Sequence, residues 1–407
     1  MHKYIYEFLI HIKKLNRNLK LYLLTIFIFN LGFSIFRIDF NLYILSMGIT
    51  ADFLGIILSL TPFAQALASI PIGFLTEKIG FKRSLIMVNI IVGCTNLLRV
   101  ISSNSLVILI GAFLNGVMAC GYFIIQLPYI SHYADRNKNM AFIFTGMVIA
   151  MARFLGSLMG GFLPNFINIV VMNVTISYRI VLTTFAMLTV VSTIPLLFLN
   201  SDKPDYSKEI NLSPYLSNID NNTVRFAIIS FFVGFGMSCP LFFMNIIFVK
   251  YFNTSLELFG VIDAFSIIPM LLLFFLGPIL AQKYTGIKVL LICRMIATVL
   301  AFLIIITNNP FFGGGAFILF LSFIELAQQL WFSFAVSVAT SKSRMATSAW
   351  LEITFQIGLG IAALVGGKLI SMESYVLLIG LAGLSIGVSF LLTAVFFGHK
   401  NWLAKIP

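Results

Sequence analysis

Twelve long apolar runs, separated by short polar breaks, are the feature that most limits how this chain can fold. They recur from Leu21 to Gly398. A helix needs about 20 mostly apolar residues to cross a bilayer. A chain that is 60% hydrophobic, with a mean hydropathy of +1.03, has too little polar surface to cover a soluble core. We therefore predict an all-α membrane protein with twelve transmembrane helices. The predicted spans are 21–47, 53–76, 84–103, 105–133, 140–164, 178–199, 224–250, 256–282, 287–307, 311–339, 345–371 and 374–398.

Basic residues are concentrated in alternate polar breaks and account for the net charge of +12. They precede the first run and follow the even-numbered runs: Lys13, Lys14, Arg17, Lys20; Lys78, Lys82, Arg83; Arg136, Lys138; Lys203, Lys208; Lys283, Lys288; Lys342, Arg344; Lys400, Lys405. This alternation is the positive-inside pattern, which places both termini in the cytoplasm. It predicts a multi-pass protein of the cell membrane, of a bacterial plasma membrane in particular, and argues against a nucleic-acid partner.

The longest polar break, Ser201 to Thr223, divides the runs into six and six. The halves resemble each other. FLTEKIGFK at 74–82 matches ILAQKYTGIK at 279–288, and Gly160–Gly161 recurs as Gly366–Gly367. Two copies of a six-helix unit are typical of transporters, whose substrate site lies at the midplane between the repeats.

The predicted domains are an N-terminal cytoplasmic segment (1–20), a first six-helix bundle (21–200), a cytoplasmic linker (201–222) and a second bundle (223–407). The N-terminal segment places Ile5, Phe8, Leu9, Ile12 and Leu15 on one helical stripe. It is either a short interfacial helix or a frayed tail.

The stretch GFLTEKIGFKRSL, 73–85, concentrates charge between the second and third runs. With its glycines, its acidic residue and its basic cluster, it resembles the cytoplasmic signature of the major facilitator superfamily. The resemblance implies two pseudo-symmetric six-helix bundles. It also implies that Gly73, Glu77, Lys78, Gly80, Lys82 and Arg83 latch the cytoplasmic side in the outward-facing state. A simple topology anchor is the alternative, but it explains only the cations.

The fifth run departs from the pattern of the family's drug/proton antiporters, which carry a glycine-proline motif there. This chain has Ala152, Gly156, Ser157, Gly160 and Gly161, so the proline and the first glycine are missing. The small residues still allow close helix packing.

Ionisable residues near the bilayer centre cost about 2.5–3.5 kcal/mol each on insertion scales, so they face a partner or a water-filled cavity. This chain has Arg37, Asp39, Arg153, Asp263, Arg294, Glu325 and Glu352 at such depth. Arg37 and Asp39 lie roughly 200° apart around their helix, so they do not pair with each other. Because helix 5 packs beside helix 1 in the family, we expect Asp39 and Arg153 to form a buried ion pair.

Polar side chains are frequent in the first, fourth, seventh and tenth runs, which in the family line the central cavity. We therefore predict that the substrate contacts Arg37, Asn41, Gln126, Asn245, Glu325 and Gln329. Scattered helix–helix hydrogen bonds are the alternative. Proton coupling needs a carboxyl whose pKa desolvation can raise. Glu325 is the first candidate, followed by Asp39, Asp263 and Glu352. Alternatively, Glu325 only balances an arginine such as Arg294.

These features favour a secondary transporter working by alternating access, a proton antiporter that exports a small charged or amphipathic organic compound. Uptake by proton symport is the close alternative, and a lipid or lysolipid flippase is a third. No nucleophile–base pair points to an enzyme, and the four cysteines lie inside apolar runs as packing residues. We expect no cofactor and no metal. The expected partners are the small-molecule substrate, the proton and membrane lipid, with the protein a monomer.

Overall fold

In a computed structural model, residues 16–133, 138–200, 219–340 and 342–398 are described. They form twelve helices long and apolar enough to cross a membrane, which confirms the predicted number. The helices are α1 Arg17–Ser46, α2 Ala51–Ile79, α3 Phe81–Ile101, α4 Ser105–Tyr133, α5 Lys138–Val171, α6 Val174–Leu197, α7 Asn221–Tyr251, α8 Leu256–Tyr284, α9 Gly286–Ile306, α10 Pro310–Val338, α11 Arg344–Ser371 and α12 Tyr375–Phe397. The expected interfacial helix and most of the expected linker lie outside the described residues.

Polar caps fix where several helices begin, and they repeat in the two halves. The Thr50 hydroxyl accepts a hydrogen bond from the Phe53 N–H before α2, and the Ser255 hydroxyl accepts one from the Leu258 N–H before α8. Each cap satisfies a backbone donor that the helix itself leaves without a partner. Asp52 and Glu257 follow in the first turn, where the helix dipole favours an acidic side chain.

The connection between α2 and α3 turns at Gly80, with φ of +85°. That conformation suits glycine because it has no Cβ. The second half turns at Thr285 in the same way, with φ of +74°. The motif 73–82 and its weaker copy therefore form the same turn.

Helix α7 is the least regular helix of the described chain. It is α-helical over Asn221–Ser238, then passes through π-helical segments at Cys239–Phe243 and Ile247–Tyr251. Such segments are frequent at functional sites. Here they lie where α7 crosses α1.

Each half is a bundle with the same internal packing. In the first, α1 packs on α5 and α6, and α2 on α4; in the second, α7 packs on α11 and α12, and α8 on α10. Polar contacts recur as well. Asn89 of α3 donates to Ser192 at 2.9 Å, and Arg294 of α9 donates to Thr393 at the matching place. These contacts agree with the pseudo-symmetry expected from the sequence repeat.

The helices run alternately between two ends. We call the end at Arg17, Leu197 and Asn221 the linker end, and the end at Ser46, Ala51 and Ser371 the distal end. The halves meet along α2 with α11 and along α5 with α8.

Glycines allow both crossings to be close. A Cβ on Gly367 would lie 2.6 Å from the Cα of Gly55, and one on Gly260 would lie 2.7 Å from the Cα of Gly161. No real Cβ fits at such distances. The second glycine of each repeated pair, Gly161 and Gly367, thus lets the halves meet closely in the distal half of the interface, while Gly160 and Gly366 face α1 and α7 of their own halves.

Polar contacts continue this closure to the distal end. Ser371 donates to Asp52 at 2.9 Å, with Lys368 at 3.8 Å from the same carboxylate, and Asn165 donates to Glu257 at the equivalent place. The structure is therefore closed at its distal end.

Candidate functional site

An ion pair between Arg37 of α1 and Asp263 of α8 joins the two halves at mid-depth. Ser157 of α5 also donates to Asp263, with 2.6 Å between Oγ and Oδ2. The Arg37 side chain is 16% exposed and that of Asp263 only 3%. Because both partners are charged and largely desolvated, the pair ties α1 and α5 of the first half to α8 of the second.

Two further charges stand next to this pair. Arg153 of α5 interacts electrostatically with Arg37, Glu325 and Asp263, and Glu325 of α10 interacts with both arginines. Arg153 and Glu325 are partly exposed, one from each half. Neither has a hydrogen bond or an ion pair among the described residues. They are therefore available to a charged ligand or, for Glu325, to a proton.

We call the space between the two halves, on the linker side of the Arg37–Asp263 pair, the cleft. Helix α10 lines it with a polar stripe. Gln329 and Ser333 follow Glu325 at successive turns of the helix and are exposed. Gln329 thus lies on the same face as Glu325, as the sequence predicts, and provides hydrogen-bonding groups on the linker side of the charges.

The predicted ion pair between Asp39 and Arg153 is wrong. Asp39 is fully buried, and neither carboxylate oxygen has a hydrogen-bonding partner. Its electrostatic neighbour is Tyr178 of α6. The physical reason is the helical rotation between Arg37 and Asp39: since Arg37 faces α8 and the cleft, Asp39 is turned toward α6, while Arg153 faces the cleft.

Asn41 and Asn245, which the sequence assigns to the substrate site, lie in the distal closure. Each is 3% exposed, and the two side chains are bonded at 3.3 Å. Asn245 also donates to the Ile38 carbonyl at 2.8 Å, and Asn41 donates to the Phe242 carbonyl. In this conformation they join the halves and do not face the open cleft.

The two remaining predicted residues, Gln126 and Glu352, lie on α4 and α11. Gln126 of α4 is half-buried, one turn beyond Tyr122, which accepts a hydrogen bond from Asn30 at 2.7 Å. Glu352 of α11 accepts a hydrogen bond from Gln356 at 2.7 Å and lies near Cys120 of α4. Glu352 is thus on the opposite side of the cleft from Arg153.

Two residues of the latch cluster, Lys82 and Gly73, have contacts within the first half. Lys82 donates to the carbonyls of Leu197 and Leu199, at 2.8 and 2.6 Å, and so caps the end of α6. Gly73 faces Ile124 of α4. Glu77, Lys78 and Arg83 are exposed at the linker end. The latch remains a prediction about the other conformation.

Sequence reasoning misses two polar residues of importance. Ser157, which the sequence analysis treats only as a small residue, donates a hydrogen bond to Asp263. Its position one turn before Gly161, on the face of α5 that meets α8, is the sequence signal that could reveal this role. Arg99 of α3 is 5% exposed and lies 4.1 Å over the Phe40 ring. Its place near the end of a run makes it look like an interfacial anchor.

The charged site is present on one side of the cleft only. The positions equivalent to Arg153, Asp263 and Glu325 in the other half of the repeat are Leu359, Leu58 and Cys120. Within the described residues the charged set at these three positions therefore occurs once, on the α5–α8 side, and Glu352 on the α2–α11 side stands at a different position of the repeat. Among the described residues, no three His, Cys, Asp or Glu side chains are grouped so as to hold a metal ion.

Comparison with known proteins agrees with this architecture. A family model described as Major Facilitator Superfamily matches residues 22–224. No curated protein matches the chain in sequence.

Solved transporter structures share the fold. The nucleoside transporter NupG is 17% identical with a TM-score of 0.71, covering 94% of this chain and 99% of its own. A bacterial homologue of the human lysosomal transporter Spinster, inward-facing and occupied, is 14% identical with a TM-score of 0.71, covering 93% and 97%. The E. coli fucose:proton symporter FucP is 14% identical with a TM-score of 0.60, covering 93% and 98%. The twelve helices, the repeated bundles and the family match together identify this chain as a member of the major facilitator superfamily.

Proposed function

We propose that this protein is a proton-coupled secondary transporter of a small charged or amphipathic organic compound, which it binds between the bundles at Arg153 and Glu325. The main support is the position of these two residues. Arg153 comes from the first half and Glu325 from the second, both are partly exposed, and neither has an ion-pair partner within the described chain. A ligand that contacts both would draw the halves together at the linker end. Binding would then be linked to the conformational change that alternating access needs.

Glu325 is the proposed proton carrier. Of the four candidate carboxylates, Asp263 is held by Arg37 and Ser157, Glu352 by Gln356, and Asp39 is sealed inside the first bundle. Glu325 alone among these four combines access to the cleft with no hydrogen-bonding partner in the described chain. Both cycles considered from the sequence, export by antiport and uptake by symport, need a carboxyl of this kind.

The linker end is the proposed cytoplasmic side. Basic side chains cluster there, among them Lys78, Lys82, Lys283, Lys342 and Arg344. If single cysteines at Lys82 and Lys342 react with an impermeant reagent from opposite sides of the membrane, this topology and the bundle arrangement both fail.

The function is tested by screening the purified protein for thermal stabilisation by metabolites, drugs and metallophores, since a ligand stabilises the state that it binds. Transport of a stabilising compound is then measured in proteoliposomes with and without a pH gradient. We expect the wild type to respond to the gradient and Glu325→Gln to lose the response. A Glu325→Gln variant that keeps the full response would remove Glu325 from coupling. Asp39→Asn, Asp263→Asn and Glu352→Gln are the comparison variants.

A further inference from the structure

The net charge of the site depends on one group. Arg37 and Asp263 neutralise each other in their ion pair. Arg153 is cationic, so the four groups together carry no net charge when Glu325 is ionised and one positive charge when it is protonated. A site with net charge is costly to occlude at mid-membrane, because the desolvated charge has no counterion there.

The other described charged side chains at mid-depth on the helices that pack against α10 have contacts of their own. Helix α10, which carries Glu325, packs against α8, α9 and α11, and Arg153 of α5 interacts with Glu325 from the other half. From α8, Asp263 is bound to Arg37; from α9, Arg294 lies 4.6 Å over the Trp331 ring and donates to α12; from α11, Glu352 is bound to Gln356. Arg153 and Arg37 are the charges that interact with Glu325.

We propose, as an extension of the proposed proton coupling, that the transported compound is a small organic monoanion carried together with one proton. Its acidic group, a carboxylate or a similar one, binds the Arg153 guanidinium, while one Glu325 oxygen takes a proton from water. Both leave on the same side of the membrane, the proton returning to water. This assigns the protein to symport, the second of the two coupling modes considered above.

The site is then neutral in both steps that cross the membrane. In the loaded step the monoanion offsets Arg153 and the proton neutralises Glu325. In the empty return step the ionised Glu325 offsets Arg153, with nothing bound. Gln329 and Ser333 offer further hydrogen bonds to the anion on the linker side.

Most ligands of other charge types would leave the occupied site with a net charge. A cation would displace the proton from Glu325 and leave Arg153 uncompensated. A dianion would carry one excess negative charge with a single proton. A zwitterion would neutralise both residues but would bind without a proton, contrary to the coupling. Because Leu359 and Cys120 stand at the positions equivalent to Arg153 and Glu325, the repeat supplies no second pair of this kind within the described chain. A ratio of one to one follows.

The test uses four probes that share a phenylpropyl body and differ in charge: phenylpropanoate, phenylsuccinate, phenylpropylamine and phenylalanine. Binding to the purified full-length protein is measured by calorimetry across a pH series. We expect phenylpropanoate to bind best. Its affinity should fall about tenfold per pH unit on the alkaline side of the Glu325 titration, because one proton is bound with the anion.

Substitutions distinguish the role of Arg153 in binding the anion from that of Glu325 in binding the proton. Glu325→Gln is neutral at every pH, so it should bind phenylpropanoate as tightly as the wild type does at acid pH, with no pH slope. Arg153→Met should lose binding at every pH. The matched controls are Glu373→Gln at the distal end and Arg344→Met at the linker end, both exposed. They should behave as the wild type does.

Several results would overturn the inference. Preferred binding of the amine or of phenylalanine would assign the substrate to another charge type. Even then, if the affinity of the preferred probe depends on pH and Glu325→Gln abolishes that dependence, Glu325 is still upheld as the proton site. Binding of phenylpropanoate without a pH slope, or no binding of it when Arg153 is intact, also rejects the monoanion. If Arg153→Met and Glu325→Gln both bind like the wild type, the proposed site itself is wrong.

Discussion

Asn41 and Asn245 hydrogen-bond to each other across the axis that relates the two halves of the chain. They occupy the same position along α1 and α7, and each amide also donates to a carbonyl of the opposite helix, at Phe242 and at Ile38. The close glycine crossings repeat about the same axis, and so do the hydrogen bonds that Ser371 and Asn165 donate to Asp52 and Glu257. Because the α2–α11 and α5–α8 crossings are equivalent and both close the distal end, that end opens only when both crossings separate.

Removing this asparagine contact should open the distal end more often. Asn41→Ala deletes two donors and leaves the Phe242 carbonyl without its partner, at about 1 kcal/mol per hydrogen bond lost. We expect the population of the distal-open state to rise several-fold. Ser59 lies on the α2 stripe that faces α11 and is 2% exposed. The alkylation rate of a cysteine placed there, in a cysteine-free background, measures the population of the distal-open state.

The matched control is Asn30→Ala. Asn30 bonds to Tyr122 inside the first half, so its loss should leave alkylation at Ser59→Cys unchanged. Equal rates in Asn41→Ala, Asn245→Ala and the wild type would show that these residues do not hold the end closed.

Alanine at the glycine crossing should block distal closure. A methyl group on Gly367 would meet the Gly55 backbone, and backbone cannot move aside as a flexible side chain can. We expect Gly367→Ala to reduce transport strongly and to raise alkylation at Ser59→Cys. Gly146→Ala is the control, since a Cβ there has nothing within 4 Å. Equal transport by both variants would contradict the close crossing.

The Arg37–Asp263 pair should behave differently from Arg153 and Glu325. Arg37→Met or Asp263→Asn leaves one buried charge uncompensated, which costs about 3–5 kcal/mol. The double variant should recover most of that loss. Arg153→Met and Glu325→Gln should change stability by less than about 1 kcal/mol, because neither residue has an ion-pair partner. Thermal unfolding in detergent measures all five; single variants of the pair as stable as the wild type would refute the structural role.

Acid should weaken the start of α7. Partial burial acts to raise the pKa of Asp220, but hydrogen bonds from the Thr223 N–H, the Thr223 hydroxyl and the Ser343 hydroxyl outweigh it and lower that pKa. A carboxyl with a lowered folded-state pKa stabilises the fold above its unfolded-state pKa, and the contribution is lost as pH falls through the folded-state value.

Asp220→Ala should therefore cost about 0.5–2 kcal/mol of unfolding free energy at neutral pH. The difference from the wild type should shrink below the ordinary carboxyl pKa of about 3.9. Asp220→Asn keeps an acceptor for Thr223 but has no charge to titrate, and serves as the control. A difference that stays constant across this range would exclude the Asp220 carboxylate as its source.

The fold follows from the sequence because its signals are long and redundant. Twelve apolar runs fix the number of helices, and the copies of Gly160–Gly161 and of 74–82 reveal the repeat. Ends are less certain: α5 continues to Val171, beyond the expected 164, because Pro164 is accommodated within the helix.

The site is only partly predictable, because its pairing depends on helix rotation across an interface between distant segments. Helical geometry separates Arg37 from Asp39 correctly, but it does not show that Arg37 meets Asp263. Polarity alone does not distinguish Asn41, which joins the halves, from Glu325, which faces the cleft. The π-helical segments of α7 change the direction in which Asn245 points, and no short pattern in the sequence announces them.

The central claim is that the halves rock about the charged site, so that one end opens as the other closes. Spin labels at Ser103 and Met372, both exposed, report the distal end, and labels at Lys78 and Lys342 report the linker end. With phenylpropanoate at acid pH, we expect the distal distances to lengthen while the linker distances shorten, and Arg153→Met to abolish both changes. Distances at the two ends that stay fixed, or that lengthen together, would contradict the account.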